Sequence, residues 1–196
     1  MPRKADAGLE GRILDAAYEL WSKRGESALT MRAVARAAKT TTPTVYQRFR
    51  DKRDLLELLR GRALQNLLRA IEPARSSAET CRRFLGFAST HPNEYRLLTA
   101  DWAVRLSRKE PKPSFELIKK RLAADLGGSP GQHARLALAL GALVHGTATM
   151  LLVEGVHEGT ARELRSACFA ACEALIEHAS PKSGRQKAFS SAGAHS

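Results

Sequence analysis

The chain has little cysteine and no long uninterrupted apolar run. Its three cysteines, Cys81, Cys168 and Cys172, cannot form a disulfide framework and suit a reducing cytoplasm. Cys168 and Cys172 are spaced like half of a metal site, but no second ligand pair completes one, so we expect small buried thiols and no metal. The apolar region near 134–153 is interrupted by Arg135, His145 and glycines, so no stretch reaches the ~18 uninterrupted apolar residues of a membrane span. The N-terminal MPRKADAGLEGR lacks the apolar run of a signal peptide, so we expect a cytoplasmic protein with no membrane partner.

Strand signals and catalytic motifs are also missing. No alternating run or hairpin turn competes with the helical periodicity, which predicts an all-α fold. We find no HExxH motif, no phosphate loop and no Ser/His/Asp spacing typical of an active site, and GGSPG at 127–131 is typical of a helix–helix turn. An all-α enzyme is therefore the weakest of the functions considered, and no cofactor is predicted.

Positive charge is abundant. The net charge is +12, with 43% hydrophobic and 27% charged residues, as in a globular protein that binds polyanions or acidic surfaces; an excess of base can also serve solubility alone. Its distribution favours nucleic acid, because residues 29–53 hold seven lysines and arginines against one acidic residue and are interleaved with aromatics.

The helices are predicted from apolar spacing, capping residues and glycine stops. An amphipathic helix from Leu9 stops at Gly25, Thr30 caps a short helix to Ala38, and Asp51 with Asp54 caps a longer one to Ile71. Ser76-x-x-Glu79, Ser129-x-x-Gln132 and Thr160-x-x-Glu163 each resemble a capping box. The remaining helices are expected at about 77–90, 93–107, 114–126, 130–154 and 160–179.

The decapeptide TTTPTVYQRF, residues 40–49, predicts a second short helix directly after the first. Val45 and Phe49 share one face and can pack on Val34 and Ala35, while Gln47 lies nearly opposite. Two short helices separated by a tight turn are the plan of a helix-turn-helix, whose second helix enters the major groove of DNA.

The outward side chains have distinct predicted roles in DNA binding. Gln47 can pair with adenine, and Thr42, Pro43 and Thr44 can contact thymine methyls or sugar edges. Tyr46 and Arg48 flank the helix where phosphates run. Lys52 starts the next helix, where its ammonium and free backbone amides could hold one phosphate.

At these residues the chain resembles the N-terminal domain of TetR-type transcriptional regulators. The resemblance covers about residues 8–57 and is carried by the run LTMRAVA from Leu29 and the run TVYQRFRDKRDLL from Thr44. It implies a homodimeric repressor that binds double-stranded operator DNA and whose larger C-terminal domain senses a small-molecule effector. The positions that contact DNA in this family are occupied here by Arg32, Thr42, Pro43, Thr44, Tyr46, Gln47, Arg48 and Lys52.

The chain departs from the family pattern at two positions of this motif. Lys39 and Thr40 stand in the turn where a glycine and a small apolar residue are usual, and Arg48 stands where a histidine is common. The second half resembles the C-terminal type named for a Trp-His-Gly motif, through His91-Pro92 and Leu143-Val144-His145-Gly146, although the tryptophan is absent.

An effector cavity among the central helices would be lined by apolar and aromatic side chains. Few fixed charges occur among the candidates, so a neutral or aromatic effector is expected, although most of these residues could simply fill the core. The candidates are Phe87, Tyr95, Leu98, Trp102, His145 and Met150.

The last two helices carry small residues that would allow close packing of two subunits as a four-helix bundle. The candidate interface residues are Ala137, Gly141, Ala148, Ala167, Ala171 and Leu175.

We therefore predict a helix-turn-helix domain at 8–54, a larger ligand-binding and dimerisation domain at 55–180, and a disordered tail at 181–196. The favoured function is a ligand-responsive repressor. A constitutive or architectural DNA-binding protein, which needs no cavity, remains the alternative.

Overall fold

The structure is a computed structural model that describes residues 8–100 and 112–180. These residues form helices and no strand, which confirms the predicted all-α class. The helices are α1 (Leu9–Arg24), α2 (Met31–Ala37), α3 (Thr42–Arg48), α4 (Lys52–Ile71), α5 (Ser77–Thr90), α6 (Pro92–Thr99), α7 (Pro113–Leu126), α8 (Ala134–Leu151) and α9 (Glu158–His178), with 3₁₀ turns at Glu26–Ala28 and Pro130–His133.

The described residues divide into two compact units. The first contains the residues up to Asn66 and those from His91 to Ala100, and the second contains Leu67–Thr90 and the residues from Lys112 onward. The division thus falls within α4, whereas the sequence suggests a domain boundary after residue 54, which stays a prediction.

The core of the first unit is built from one apolar stripe of each helix. α1 contributes residues four apart along one face, as the sequence predicts, and α2 and α3 contribute the residues that were expected to face inward. The fully or almost fully buried side chains are Ile13, Ala17, Trp21, Leu29, Val34, Ala35, Val45, Phe49, Leu55 and Leu59.

Side-chain caps set where the helices of the first unit begin. The Thr30 hydroxyl accepts from the Ala33 N–H (3.1 Å), and the Asp51 carboxylate accepts from the Asp54 N–H (2.9 Å). Asp54 reaches back to the N–H of Arg50 (3.2 Å), so two amides that would otherwise lack partners are bonded. The hydrogen bond from Asp54 holds the pKa of the Asp51 carboxyl below its usual range.

A polar network within the first unit joins α6 to α1 and α4. The side-chain amide of Asn66 donates to the Tyr18 hydroxyl (2.7 Å) and to the Glu94 carboxylate (3.1 Å), and Glu94 is buried. Burial and the neighbouring Glu94 raise the pKa of Tyr18. Arg62 covers the Tyr18 ring at 4.3 Å and bonds to Asp15 at 2.5 Å. Because a buried polar group without a partner is costly, this network fixes α6 against α1.

In the second unit, α5, α8 and α9 pack against one another. Cys81 of α5 and Cys168 and Cys172 of α9 are buried, as predicted for structural thiols. A hydrogen bond with Cys81 and, to a smaller extent, burial raise the pKa of Cys172, so this thiol stays protonated. Arg82 of α5 pairs with Glu173 of α9 beside the cysteines.

Two of the three predicted capping boxes mark real helix starts in the second unit. Ser76 accepts from the Glu79 N–H (3.1 Å) at the start of α5, and Ser129 with Gln132 forms a complete box, but it opens the 3₁₀ turn that precedes α8. The box at Thr160 is wrong, since α9 begins at Glu158 and His157 is its N-cap.

Candidate nucleic-acid interface

α2 and α3 are joined by a turn that a lysine closes in a left-handed conformation. Lys39 has a φ of 53°. Within residues 8–100 and 112–180, every other residue with a positive φ is a glycine. The Thr40 N–H donates to the Ala35 carbonyl (2.9 Å) and the Lys39 N–H to the Arg36 carbonyl (3.2 Å). This is the Schellman pattern that usually ends with glycine, so Lys39 occupies the position of the glycine expected from the family.

The threonines before α3 form its cap. Thr41 is the N-cap, and its hydroxyl accepts from the Thr44 N–H (3.3 Å) and lies 2.7 Å from the Thr44 hydroxyl. Pro43 lies in the first turn, where a missing N–H leaves no bond unmade. Thr41 is absent from the predicted site, although its position before a proline-bearing first turn is a recognisable N-cap signal.

α3 presents the predicted contact residues on its outer side. Val45 and Phe49 are buried, while Pro43, Gln47 and Arg48 are exposed. Tyr46 is 53% exposed, an unusual position for an aromatic ring unless something else covers it. Thr42 and Thr44 are half-buried beside them, and Arg32 of α2 is exposed. The structure therefore brings these seven side chains to the outside of α2 and α3.

Lys52, the first residue of α4, is held more firmly than the sequence suggests. Its ammonium donates to the Glu26 carbonyl (3.1 Å) and lies 3.3 Å from the Glu26 carboxylate. The amides of this first turn are not all free either, because Asp51 accepts from Asp54. The first turn of α4 therefore holds fewer free donors than the sequence suggests, and Glu26 is a neighbour that sequence spacing could not reveal.

The candidate effector residues do not all lie in one unit. Phe87 is buried and His145 half-buried in the second unit, where burial lowers the pKa of His145. Tyr95 is buried and Leu98 half-buried in the first unit. Met150 is 54% exposed on α8, which corrects its placement in an interior cavity. Trp102 lies outside the described residues.

The candidate dimer residues on α8 and α9 differ in exposure. Gly141 is exposed, but Ala137 and Ala148 are buried within the chain itself, so these two alanines cannot form an exposed interface and their assignment is corrected. On α9, Ala167 and Leu175 are exposed and Ala171 is half-buried. Three large apolar side chains on or just after α8 are exposed, which sequence reasoning missed: Leu138, Met150 and Val153.

This apolar exterior makes one segment resemble a membrane span. Pro130–Leu151 is the stretch of the described residues that is long and apolar enough to cross a bilayer by length and composition. Only 22% of the apolar 18-residue window within it is buried in the isolated chain. A helix whose apolar surface packs against protein has the same composition, so length and composition alone do not distinguish it from a membrane span.

Comparison with known proteins gives matches along most of the chain. A family model described as "Bacterial regulatory proteins, tetR family" matches residues 13–59, and one described as "Tetracyclin repressor-like, C-terminal domain" matches residues 77–177. The HTH-type transcriptional regulator HbdR from Aromatoleum sp. (strain CIB) is 39% identical over 92 residues, 47% of this chain and 35% of that protein. The match thus spans about a third of the length of this relative.

Solved structures share the fold. A TetR-like transcriptional regulator from Rhodococcus sp. RHA1 has 24% identity and a TM-score of 0.53, with 91% of this chain and 97% of that chain covered. A TetR variant from Acinetobacter baumannii AYE, solved in complex with minocycline, has 21% identity and a TM-score of 0.60, with 85% and 93% covered. At these identities the likeness concerns the fold alone.

Proposed function

The chain belongs to the tetR family of bacterial regulatory proteins and is a transcriptional regulator, and from this premise we propose that it is a ligand-responsive repressor. In this proposal it binds palindromic operator DNA as a homodimer in the cytoplasm. A small apolar or aromatic effector releases it from the DNA.

The observation that carries DNA binding is the outer surface of α3. A helix of seven residues buries Val45 and otherwise exposes an aromatic ring, an amide and a cation. Such a set suits a major groove, where an amide pairs with a base edge and a cation with phosphate. Gln47 is the proposed base reader, and Thr42, Pro43 and Thr44 are proposed to contact thymine methyls or sugars.

Phosphate contacts are assigned to the cations and to the tyrosine around this helix. Tyr46 and Arg48 flank Gln47, Arg32 is exposed on α2, and Lys52 begins α4. These contacts orient the protein on DNA without reading sequence. Lys39 is an additional candidate, because its exposed ammonium is carried by the turn between the two helices.

A homodimer is supported by the exposed apolar face of α8 and α9. One helix-turn-helix covers too few base pairs for specific binding, whereas two helices about 34–36 Å apart read adjacent half-sites. Gly141 on α8 and Ala167 and Leu175 on α9 are exposed, and Ala171 on α9 is half-buried. A second copy of the chain on this face would remove apolar surface from water. The resulting dimer would also supply the second helix-turn-helix that specific DNA binding needs.

The effector is proposed from its chemistry alone. In the second unit, the buried Phe87 and the partly buried His145, whose pKa is lowered by burial, suit an uncharged ligand with an aromatic or apolar body. Minocycline in the relative from A. baumannii is a ligand of that protein, and we propose only that this chain also responds to a small molecule.

The test has two steps, DNA selection and ligand screening. Genomic fragments retained by the protein are sequenced, and the enriched motif is expected to be a palindrome whose half-site centres are one helical turn apart. A thermal-shift screen of small molecules then identifies a stabilising compound, which should also lower operator affinity. Enrichment without a motif would favour the architectural alternative. A specific operator without any ligand that changes affinity would favour constitutive repression.

A further inference from the structure

Lys52 has an acidic partner 26 positions earlier in the chain. Its ammonium lies 3.3 Å from the Glu26 carboxylate and donates to the Glu26 backbone carbonyl at 3.1 Å. The Lys52 side chain is 39% exposed and the Glu26 side chain 65% exposed. Both groups are therefore within reach of a ligand that approaches from outside.

Glu26 is held at this position by the turn that follows α1. Gly25 has φ 74°, a conformation that favours glycine, and it directs the chain from α1 into the 3₁₀ turn. The Glu26 carbonyl also accepts from the Leu29 N–H (3.1 Å). The side-chain amide of Asn93, from α6, donates to the Ser22 carbonyl (2.8 Å) and would lie 3.5 Å from a methyl group placed on Gly25. These contacts fix the backbone position of Glu26.

We propose that the Glu26 carboxylate competes with a DNA phosphate for the ammonium of Lys52 and thereby lowers the affinity of the protein for all DNA sequences. The proposal rests on the proposed function, in which Lys52 is a phosphate contact. A phosphate oxygen and the Glu26 carboxylate are both anionic acceptors for the same ammonium, which also donates to the Glu26 backbone carbonyl. When DNA arrives, the phosphate must displace the carboxylate or share the ammonium with it at the cost of repulsion between two anions.

The competition acts on affinity and leaves sequence choice unchanged. Lys52 starts α4 and lies outside the base-reading set of α3, and phosphate contacts carry no sequence information. A weakening that is equal for operator and random DNA limits the time spent on nonspecific sites and makes release easier. Glu26 is therefore a tuning residue of the interface that does not contact a base.

Charge removal at Glu26 tests the proposal directly. We would measure the affinity of the wild type and of Glu26→Gln for the selected operator and for a random duplex, by fluorescence anisotropy at several salt concentrations. Because exposed ion pairs are weak, we expect Glu26→Gln to tighten both complexes about two- to fivefold. Glu19→Gln is the matched control, since it removes the same charge from α1 in an exposed pair with Lys23; its effect should be smaller and should fade with salt.

Lys52→Gln separates this proposal from the proposed function. Lys52→Gln should weaken both complexes and reduce the magnitude of the salt slope by ~1. Adding Glu26→Gln to Lys52→Gln should then change affinity no more than Glu19→Gln does. If Lys52→Gln changes neither affinity nor slope, the phosphate role of Lys52 is wrong. Two results would contradict the competition while leaving the phosphate role of Lys52 intact. In the first, Lys52→Gln weakens binding but Glu26→Gln does not tighten it. In the second, Glu26→Gln tightens binding as much in the Lys52→Gln background as in the wild type.

Discussion

The Thr40 N–H donates to the Ala35 carbonyl at 2.9 Å, and the bond closes the turn of the helix-turn-helix around Lys39. The turn needs one residue with positive φ, and Lys39 supplies it at φ 53°. A side chain at this position brings its Cβ close to the backbone carbonyl, whereas glycine does not. The chain therefore keeps the geometry of its family's turn and accepts local strain in the residue that forms it.

Replacing Lys39 by glycine should stabilise the protein. Relief of the left-handed conformation is worth roughly 1–2 kcal/mol and the added freedom of the unfolded chain costs about 0.4–1 kcal/mol, so the free energy of unfolding should rise by about 0.5–1 kcal/mol. Urea unfolding measures this difference. Lys39→Ala is the matched control, because it removes the same charge but retains Cβ. An equal gain from both variants would attribute the effect to charge and contradict the strain argument.

Replacing Gln47 by alanine should reduce the specificity of DNA binding. If its amide pairs with a base, the loss on the operator should be ~1–3 kcal/mol, and binding to random duplex should change little. Anisotropy titrations with both duplexes measure the two values. Gln65→Ala, at a glutamine of α4 that is also exposed, is the control and should leave both unchanged. Equal losses on both duplexes at Gln47 would show a backbone contact only.

The cap of α4 should make stability depend on pH through Asp51. The hydrogen bond from the Asp54 N–H lowers the pKa of Asp51 in the folded state. The ionised carboxylate therefore contributes to the free energy of unfolding at pH values above the pKa of Asp in the unfolded chain, about 3.9. This contribution is lost as the pH falls through the lower pKa of the folded state. Asp51→Ala should therefore lower the melting temperature at pH 7, and the difference from the wild type should narrow toward pH 3.

Asp51→Asn provides the matched comparison for this effect. Asparagine also caps helices well through its side-chain oxygen but does not titrate in this range. Asp51→Asn should retain most of the stability of the wild type at pH 7. As the pH falls, its melting temperature should decrease less than that of the wild type. If the gap between Asp51→Ala and the wild type is the same at both pH values, the charge of Asp51 contributes nothing to the cap.

The short helices of the first unit could be predicted from the sequence because each has a single buried face. Val45 and Phe49 are four apart and both are buried, so the positions between them must face outward. The stops at Gly25 and the caps at Thr30 and Asp51 are local signals whose hydrogen bonds form within four residues. The partner of Lys52 could not be predicted, because Glu26 meets it through the tertiary fold.

The faces of α8 could not be predicted for a different physical reason. The helix is apolar on most of its circumference, so periodicity does not show which side enters the core of the chain. Ala137 and Ala148 are buried, whereas Leu138, Gly141 and Met150 are exposed. The helix start predicted at Thr160 was wrong because the same capping pattern also occurs inside a helix that begins earlier. Here the helix begins at Glu158.

The last prediction concerns the outward face of α8. Gly141→Glu should convert a dimer into monomers, because the substitution places a charge in the proposed interface, and an unpaired buried charge costs several kcal/mol. A Cβ at Gly141 meets nothing within 4 Å in the isolated chain, and glutamate favours helix more than glycine does. The folded chain should therefore tolerate the substitution, and circular dichroism should be unchanged.

Gly86→Glu is the matched control for this experiment. Gly86 is exposed on α5 in the same unit, and a Cβ there also meets nothing within 4 Å. Sedimentation at micromolar concentration should give a dimer for the wild type and Gly86→Glu and a monomer for Gly141→Glu. Because only a dimer places two α3 helices on adjacent half-sites, Gly141→Glu should lose at least about tenfold in operator affinity, a coupling of ~1.4 kcal/mol or more. A wild type that sediments as a monomer and still binds the palindrome tightly would refute the dimer and the role of α8 in it.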